Sequence, residues 1–239
     1  AHKVPLGVTL VALPFVSKQG FTAATTQSLI LAILAGGLKM TKFLFLGDHS
    51  QVQARNAACQ DAIDAGCEWV FFVDSDADFP VDALERLKKC DADIACADMW
   101  SRNVPSFRTV MRMGPVDELG GRAATPVPGN PTGVEDVDVC GMHCTLIRTS
   151  LLRRMKEREP DRPWFWVAMH GEDAMFCFDA KGVGATIRCD FSVMAGHWGV
   201  ARMAGQDWSR DARNQPMSVA NLEMMKRMGV TNLKEEGVV

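Results

Sequence analysis

Apolar and polar residues follow two alternating patterns along the first part of the chain. Continuous apolar runs, typical of buried strands, alternate with segments in which apolar residues recur every three to four positions, typical of helices. Gly66 follows one helical segment, where glycine commonly ends a helix, and Pro80 suits the first turn of another. The patterns predict strands over residues 6–13, 41–46, 68–73 and 93–97, and helices over residues 22–34, 51–65 and from Pro80 through Leu87.

The second part of the chain resumes these patterns after an interruption. Between residues 99 and 134, Pro, Gly and Arg occur with little periodicity, which indicates a long loop or an insertion rather than a domain. Beyond it the patterns predict a strand with a glycine interruption over 136–147, helices over 149–157 and 172–181, strands over 185–190 and 192–195, and a last helix over 218–228.

This order of elements predicts one α/β domain, with a central, mostly parallel, twisted sheet flanked by helices. A chain of 239 residues is long enough for one sizeable core. In such sheets ligands bind beyond the carboxyl ends of the strands. Functional residues are therefore expected where strands end.

Composition narrows the class of protein. Hydrophobic residues make up 47% and charged residues 23%, which is ordinary for a globular protein and unlike a disordered or fibrous one. The 26 basic and 29 acidic residues leave a net charge of −3, so no overall field draws the chain to nucleic acid or anionic lipid. The longest apolar stretch, residues 29–38, is too short for a bilayer, and no cleavable signal opens the chain, so a soluble, cytoplasmic protein is expected. The eight scattered cysteines favour reduced thiols.

The segment FFVDSDADF, residues 71–79, places three carboxylates at alternate positions directly after the third predicted strand. Two carboxylates about 5 Å apart repel by roughly 3 kcal/mol at an effective dielectric of about 20, so such clusters usually hold a cation or a proton. One interpretation of Asp74, Asp76 and Asp78 is therefore a metal site. Another is a solvated turn with a helix cap, which explains one Asp or two.

An EF-hand loop is a third interpretation of the same segment, because five acidic residues from Asp74 to Glu85 stand at its ligand positions. The sixth position of that motif requires Gly, whereas this chain has Phe79. The preceding residues are also β-like rather than helical. The sequence therefore favours the other two interpretations.

Four motifs follow one another in a defined order along the chain. The first is one region that runs from the ARN triplet at residues 54–56 through a helix to the DSD-FP segment. The other three are the strand VDVCGMHCTLIR at 137–148, the GED triplet at 171–173 and the GH pair at 196–197. In this order and spacing they resemble the small, phage-type members of the GT-A-fold nucleotide-sugar glycosyltransferases, which are family 2-like. The resemblance implies one GT-A domain with a nucleotide-binding half (1–98), a loop or insertion (99–135), an acceptor and catalytic half (136–198), and a C-terminal helix and tail (199–239).

The resemblance also implies a metal site. Asp74, Asp76 and His197 would be the protein ligands of Mn²⁺ or Mg²⁺, and the cation would bind the diphosphate of a nucleotide-diphospho-sugar, with a UDP-sugar as the first choice. Asp78 is either a further ligand or a helix cap. By residue type alone, a core or surface histidine is the favoured explanation of His197, and the resemblance reverses that preference.

Two carboxylates at the start of a predicted helix are the catalytic candidates. Capping explains Glu172 and Asp173, because free amides and the helix dipole favour carboxylates there. The resemblance implies instead that Asp173, beside Glu172, takes the proton of the acceptor hydroxyl as general base. Arg55 either contacts the base or phosphate of the donor or lies on a solvated helix face. The expected donor-binding residues are Ala12, Leu13, Pro14, Asp48, Arg55, Asp74, Ser75 and Gly141.

The acceptor is the least constrained part of the prediction. Residues 148–162 carry a basic surplus, which either follows a phosphate backbone or forms a solvated helix face. Because some phage-type relatives modify DNA bases, the resemblance admits a hydroxymethylated pyrimidine in DNA, beside a glycan or a protein hydroxyl. Cys140, His143 and Cys144 do not form a zinc motif, since a second ligand pair at suitable spacing is missing.

Two other functions stay open at this point. A sugar-phosphate nucleotidyltransferase shares the nucleotide-binding architecture, but it normally has a Gly-rich, basic loop after the first strand, where this chain has only Lys18 and Gly20. An alternative of another class is a non-catalytic calcium-binding or sugar-binding module.

Overall fold

The computed structural model describes residues 8–15, 21–34, 41–47, 50–101, 106–116, 122–168, 170–198 and 202–203. Asp48 and the helix predicted over 218–228 lie outside the described residues. Within these ranges, no helix combines the length and the apolar character that a bilayer crossing requires.

The helices form where the apolar periodicity predicts them. In the described ranges they are α1 (Ala23–Leu34), α2 (Gln51–Asp64), α3 (Ala83–Lys89), α4 (Thr149–Arg158) and α5 (Gly171–Gly182). The start of α2 shows how the sequence sets such a boundary. The Ser50 hydroxyl accepts a hydrogen bond from the Gln53 amide, and the Gln53 side chain accepts one from the Ser50 amide, which is a capping box.

The strands form one large mixed sheet and a separate hairpin. They are β1 (Thr9–Phe15), β2 (Thr41–Gly47), β3 (Trp69–Val73), β4 (Ala77–Asp78), β5 (Ile94–Met99), β6 (Met111–Val116), β7 (Arg122–Pro126), β8 (Val134–Asp136), β9 (Cys144–Arg148), β10 (Ile187–Trp198) and β11 (Arg202–Met203). The main sheet has the order β11-β10-β5-β9-β3-β1-β2, and β4 and β8 also pair with β10. Strands β2, β1, β3, β5 and β10 run in one direction, whereas β9 and β11 run in the other. The mostly parallel sheet flanked by helices is confirmed.

The core surrounds the centre of this sheet. Every residue of β3 and β5 is buried, as expected for internal strands covered on both faces. Helix α2 packs against β1 and β3, and α3 packs against β5, β9 and β10. Phe71 contacts Phe79, and Phe72 contacts Phe165, both edge to face. This packing holds the end of β3, where the acidic segment begins, in a fixed position.

Three predicted elements differ from the structure. The segment over 99–134 is not only a loop, because β6 and β7 pair as an antiparallel hairpin within it. The strand predicted over 136–147 is regular only from Cys144, since the glycine and its neighbours turn before β9 begins. The two strands predicted over 185–190 and 192–195 are one strand, β10, with an irregularity in its register beside β5.

Candidate metal and catalytic site

The acidic segment and the end of β10 meet at one edge of the sheet. Strand β4 pairs with β10 so that Ala77 lies opposite His197, and Asp78 lies opposite Gly196. The Trp198 amide donates a hydrogen bond of 2.7 Å to the carbonyl of Asp76. Asp78 and Gly196, which are 118 positions apart in the sequence, are thereby brought side by side.

Asp74, Asp76 and His197 form a group that could hold a metal ion, which we call the metal triad. Each offers one ligand atom, and these three atoms lie within 4.8 Å of one another. Asp76 Oδ1 is 3.3 Å from His197 Nε2. Neither ring nitrogen of His197 has a hydrogen-bond partner among the described residues, although both are buried. Buried side-chain nitrogens normally have one, so an unused imidazole nitrogen beside two carboxylates fits a divalent cation such as Mn²⁺ or Mg²⁺.

Asp78 belongs to the fold rather than to this triad. Its Oδ1 accepts a hydrogen bond of 2.7 Å from the Gly196 amide, and its Oδ2 accepts one of 3.1 Å from Trp198 Nε1. It does not cap α3, because the N-cap position is Asp82. The helix-cap interpretation of Asp78 is therefore wrong, and so is the EF-hand interpretation of the segment, since a strand and not a helix precedes it.

A second histidine packs against the triad. The rings of His143 and His197 are stacked, with centroids 4.5 Å apart and planes 24° apart. His143 is 4% exposed, and its carbonyl accepts a hydrogen bond of 3.3 Å from the Asp74 amide. His143 therefore supports two members of the metal triad, one through its ring and one through its backbone.

Arg55 lies at the centre of an ion-pair cluster. The guanidinium is fully buried, and it contacts Glu172 at 3.0 Å, Asp74 at 3.4 Å and the Asp173 carboxylate. Burial alone would lower the pKa of Arg55, but the three carboxylates outweigh it and raise that pKa. A charge this deeply buried is stable only because it is paired. Arg55 therefore joins a metal ligand to the two catalytic candidates.

Asp173 has the electrostatic character of a base that works near neutral pH. Burial raises the pKa of Asp173 to about 6, Arg55 opposes this rise, and the negative charges of Glu172 and Asp74 add to it. The cleft walls surround the carboxylate, so it is poorly solvated although 31% of its side chain is exposed. Its Oδ2 accepts a hydrogen bond of 3.2 Å from the Met142 amide, which holds it in position.

These groups line one cleft of about 920 Å³. On one side lie the carboxylates, which we call the acidic wall: Asp74, Asp76, Glu172 and Asp173. The same cleft is also lined by residues from β6, β7 and the segment before them, which we call the hairpin wall: Phe107, Thr109, Met111, Met113, Arg122, Ala123 and Ala124. A cleft of this size is in the range of small-molecule and cofactor sites.

Comparison with known proteins identifies the fold. No protein-family model matches the sequence, and no curated protein matches it in sequence. The crystal structure of A197 from STIV superposes with a TM-score of 0.56 and 17% identity, over 82% of this chain and 90% of that one. The crystal structure of GalNAc-T7 with UDP, GalNAc and Mn²⁺ superposes with a TM-score of 0.54 and 13% identity, over 97% of this chain and 52% of that one. This chain has a GT-A glycosyltransferase fold. It spans about half of the GalNAc-T7 chain, and at these identities the likeness concerns the fold alone.

Within the GT-A fold, the residues expected to bind the donor fall into separate environments. Pro14, Ser75 and Gly141 line the cleft together with Arg55 and the acidic wall. Ala12 and Leu13 are fully buried in β1, so their side chains belong to the core. Their roles in donor binding stay predictions, as does that of Asp48, which lies outside the described residues.

Two groups of functional candidates are not evident in the sequence. The local sequence places His143 only between Cys140 and Cys144, in an incomplete zinc pattern, and its stacking on His197 follows from the turn before β9. The hairpin wall falls in the segment that lacks periodicity, where short exposed strands leave little apolar alternation. The two methionines on alternate positions of β6, Met111 and Met113, are the one signal that could have indicated it.

The cysteines and the basic run have structural explanations. All eight cysteines are buried and free, as the expectation of reduced thiols requires. In the basic run, Arg154 pairs with Asp93 at 3.0 Å and Arg162 pairs with Asp179 at 2.9 Å. These pairs neutralise part of the surplus, which favours the interpretation as a helix face over a phosphate-binding surface.

Proposed function

We propose that this protein is a metal-dependent glycosyltransferase, of the hexosyltransferase type, that moves a sugar from a UDP-sugar to an acceptor hydroxyl. The observation that carries the proposal is the metal triad of Asp74, Asp76 and His197 in the same cleft as the poised carboxylate of Asp173. The GT-A fold supports it, and the neighbour GalNAc-T7, whose structure holds UDP, GalNAc and Mn²⁺, supports the choice of donor and cation.

In the proposed reaction the bond between the anomeric carbon and the diphosphate oxygen breaks, and its electron pair leaves with the diphosphate. The acceptor oxygen forms the new bond to the anomeric carbon, and its proton passes to Asp173. Asp74, Asp76 and His197 would hold a divalent cation, which would supply positive charge to the departing diphosphate. A carboxylate with a pKa of about 6 is ionised at neutral pH and basic enough to take a proton there.

Arg55 prepares the site for this chemistry. It keeps Asp173 and Glu172 beside Asp74 although all three carry negative charge. The Met142 amide fixes the second oxygen of Asp173. Since Arg55 is buried and its contacts are carboxylates, we assign it to positioning rather than to direct contact with the donor.

Two substitutions test the assigned roles. Asp76→Ala removes a triad ligand, and we expect it to abolish the Mn²⁺-dependent binding of UDP in calorimetry. Asp173→Asn keeps the shape of the side chain, and we expect normal UDP binding with loss of sugar transfer. Asp82→Asn is the matched control, because Asp82 follows the same segment, is 54% exposed and stands apart from the triad.

The outcomes separate this function from its rivals. UDP binding that does not depend on Mn²⁺, or full turnover of Asp173→Asn, would contradict the proposal. Condensation of a sugar phosphate with a nucleoside triphosphate would indicate the nucleotidyltransferase instead. Ca²⁺ binding that is independent of any nucleotide would indicate the non-catalytic module. A transfer assay with glycans and with DNA that contains a hydroxymethylated pyrimidine distinguishes these two acceptors.

A further inference from the structure

The two walls of the cleft differ in charge and polarity. The acidic wall contains four carboxylates, two of which belong to the metal triad, and this suits a cation and a diphosphate. The hairpin wall, in its described part, contains no carboxylate and consists mainly of apolar side chains with one cation, Arg122. If the donor diphosphate lies on the metal side, as the proposed function requires, the hairpin wall faces the other substrate.

Hydrogen bonds and an ion pair connect β6 to the segment that follows the hairpin and, through it, to α5. The Met113 amide donates a hydrogen bond of 2.8 Å to Asp138, whose other oxygen pairs with Lys181 of α5 at 2.9 Å. The Met111 amide donates to the carbonyl of Val139 at 2.8 Å. These bonds connect β6 to the segment just before the turn that carries Gly141 and His143. The hairpin wall is therefore a preformed surface rather than a loose loop.

The hairpin wall offers few groups that could bind a sugar acceptor by its hydroxyls. The Thr109 hydroxyl already donates to the carbonyl of Met99 at 3.2 Å. Phe107 is 38% exposed, and Met111, Met113 and Ala124 present apolar surface. A neutral polyol placed here would lose hydrogen bonds to water without replacing them, which is unfavourable. A planar or apolar body has fewer hydrogen bonds to water to lose there, and it buries apolar area.

Arg122 adds a fixed positive charge to this surface. Its Nε donates a hydrogen bond of 2.7 Å to the carbonyl of Gly114, and Nη2 lies 3.4 Å from the carbonyl of Met113. These contacts hold the guanidinium along the hairpin, on the cleft side. A guanidinium recognises carboxylates and phosphates through paired hydrogen bonds.

We propose that the hairpin wall is the acceptor subsite, and that it takes a hydroxyl group carried on a planar or apolar body with an anionic group that meets Arg122. This inference rests on the proposed function, because it assigns the donor to the metal side. It excludes neutral polyols as the preferred acceptors.

Three small probes test the chemistry directly. They are 4-(hydroxymethyl)benzoate, benzyl alcohol and methyl glucoside, which offer a hydroxyl with a ring and a charge, with a ring alone, and on a neutral polyol. Binding is measured by saturation-transfer NMR on the full chain with UDP and Mg²⁺. We expect 4-(hydroxymethyl)benzoate to bind about 1.4- to fivefold more tightly than benzyl alcohol, the range for an exposed ion pair, and methyl glucoside to bind most weakly.

Variants on the hairpin assign the effect to Arg122. Arg122→Gln should remove the preference for the charged probe, and Ala124→Asp should reverse it by repulsion. Arg112→Gln is the matched control, because Arg112 lies on the same hairpin, pairs with Glu135 and is not among the cleft-lining residues. It should behave as the wild type.

Several results would overturn the inference. They are equal or tighter binding of methyl glucoside, an unchanged preference in Arg122→Gln, or a loss of UDP affinity in Arg122→Gln, which would place the guanidinium on the donor. UDP affinity is measured in the same samples. If the wild type binds the charged probe but not UDP, the proposed function is contradicted. The preference for the charged probe would still support the chemistry assigned to the hairpin wall.

Discussion

At the scale of single residues, the site depends on charges that are unfavourable alone and stable together. Arg55 and its three carboxylates form one such set, in which each group is held by the others. Removing one member leaves an uncompensated buried charge. The pKa of Asp173 is the measurable consequence of this arrangement.

The pH dependence of activity follows from that pKa. Asp173 must be ionised to accept a proton, so kcat/KM should fall by about tenfold for each pH unit below the pKa. The pKa is about 6 without a cation, and a bound cation lowers it, so the acid limb should lie at or below pH 6. A pH profile of transfer measures this. A flat profile from pH 4 to pH 7 would exclude Asp173 as the base.

Stability should change with pH in the opposite sense. The folded-state pKa of Asp173 is raised, so the folded protein binds this proton more tightly than the unfolded chain. The stabilisation from protonation is fully present below about pH 4, the unfolded pKa, and is lost as the pH rises through about 6. Urea denaturation of the metal-free protein should therefore show Asp173→Asn gaining stability relative to the wild type between pH 4 and pH 7. A pH-independent difference would contradict this.

His143 should control the affinity of the metal triad through its ring. His143→Ala leaves the His197 ring without its stacked neighbour, and loss of such a supporting contact typically lowers metal affinity by about 10-fold or more. His143→Phe keeps a flat ring and should restore most of the affinity. Mn²⁺ titration followed by electron paramagnetic resonance measures both. If His143→Ala binds Mn²⁺ as the wild type does, the stacking has no positioning role.

Residue roles were predictable from sequence only in part. The sequence brings the carboxylates and His197 forward as candidates because they stand in motifs of a defined order and spacing. The environment of Arg55 was not predictable in this way, because a helix arginine can face solvent, donor or carboxylate with the same local pattern, and only the meeting of α2 with α5 decides among them.

At the scale of elements, the β6-β7 hairpin depends on one buried ion pair. Arg108 donates to both oxygens of Asp98, at 2.7 and 3.2 Å, and to the carbonyl of Val127. Its guanidinium also packs over the rings of Trp100 and Phe191. Both charged side chains are about 5% exposed. The pair therefore joins the end of β5 to the strand that returns from the hairpin.

Breaking this pair should destabilise the fold strongly. Arg108→Met leaves Asp98 buried without a partner, and we expect a loss of about 3–5 kcal/mol in the free energy of unfolding, measured with urea. Adding Asp98→Asn to that variant should recover part of the loss. Arg112→Met, which breaks the exposed pair with Glu135, should cost less than about 1 kcal/mol. Equal losses in the two single variants would show that burial of the Arg108 pair is unimportant.

The elements themselves were largely predictable, and the exceptions have one physical cause. Helices α1 to α5 were predictable from apolar residues at helical spacing, and strands β1 to β3 from continuous apolar runs, because these elements pack on the core. Strands β6 and β7 are mostly exposed and partner each other, so burial imposes no pattern on them. The irregular register in β10 likewise depends on contacts with β5 and β8 that the local sequence does not record.

At the scale of the whole molecule, the sequence predicts the order of elements along the chain but not their order in the sheet. Strand β9 lies between β3 and β5 and runs against both. This arrangement places the turn that carries Gly141 and His143 between the acidic segment and α5. The metal triad and the ion-pair cluster thus share one cleft because of topology, which only the resemblance to GT-A enzymes could suggest in advance.

This topology predicts how a ligand should act on the folded protein. The triad takes two ligands from the segment after β3 and one from β10, so a cation and UDP should tie these parts together. Ligands that bind only the native state stabilise it, and the opening most suppressed should be the separation of β4 from β10. The amides that report it are those of Gly196 and Trp198, which bond to the side chain of Asp78 and the backbone of Asp76.

Hydrogen exchange with Mg²⁺ and UDP measures this effect. Exchange at Gly196 and Trp198 should slow by about tenfold or more when UDP is in large excess over its dissociation constant, since about 100-fold excess gives about 2.7 kcal/mol of stabilisation. The amides of β6 and β7 should change less, because the hairpin contributes no triad ligand. Asp76→Ala should abolish the protection while leaving the ligand-free exchange of β3 unchanged. Uniform protection of all strands in the wild type would mean that the ligand acts on global unfolding. Protection confined to the hairpin would place UDP on the hairpin wall instead of the acidic wall.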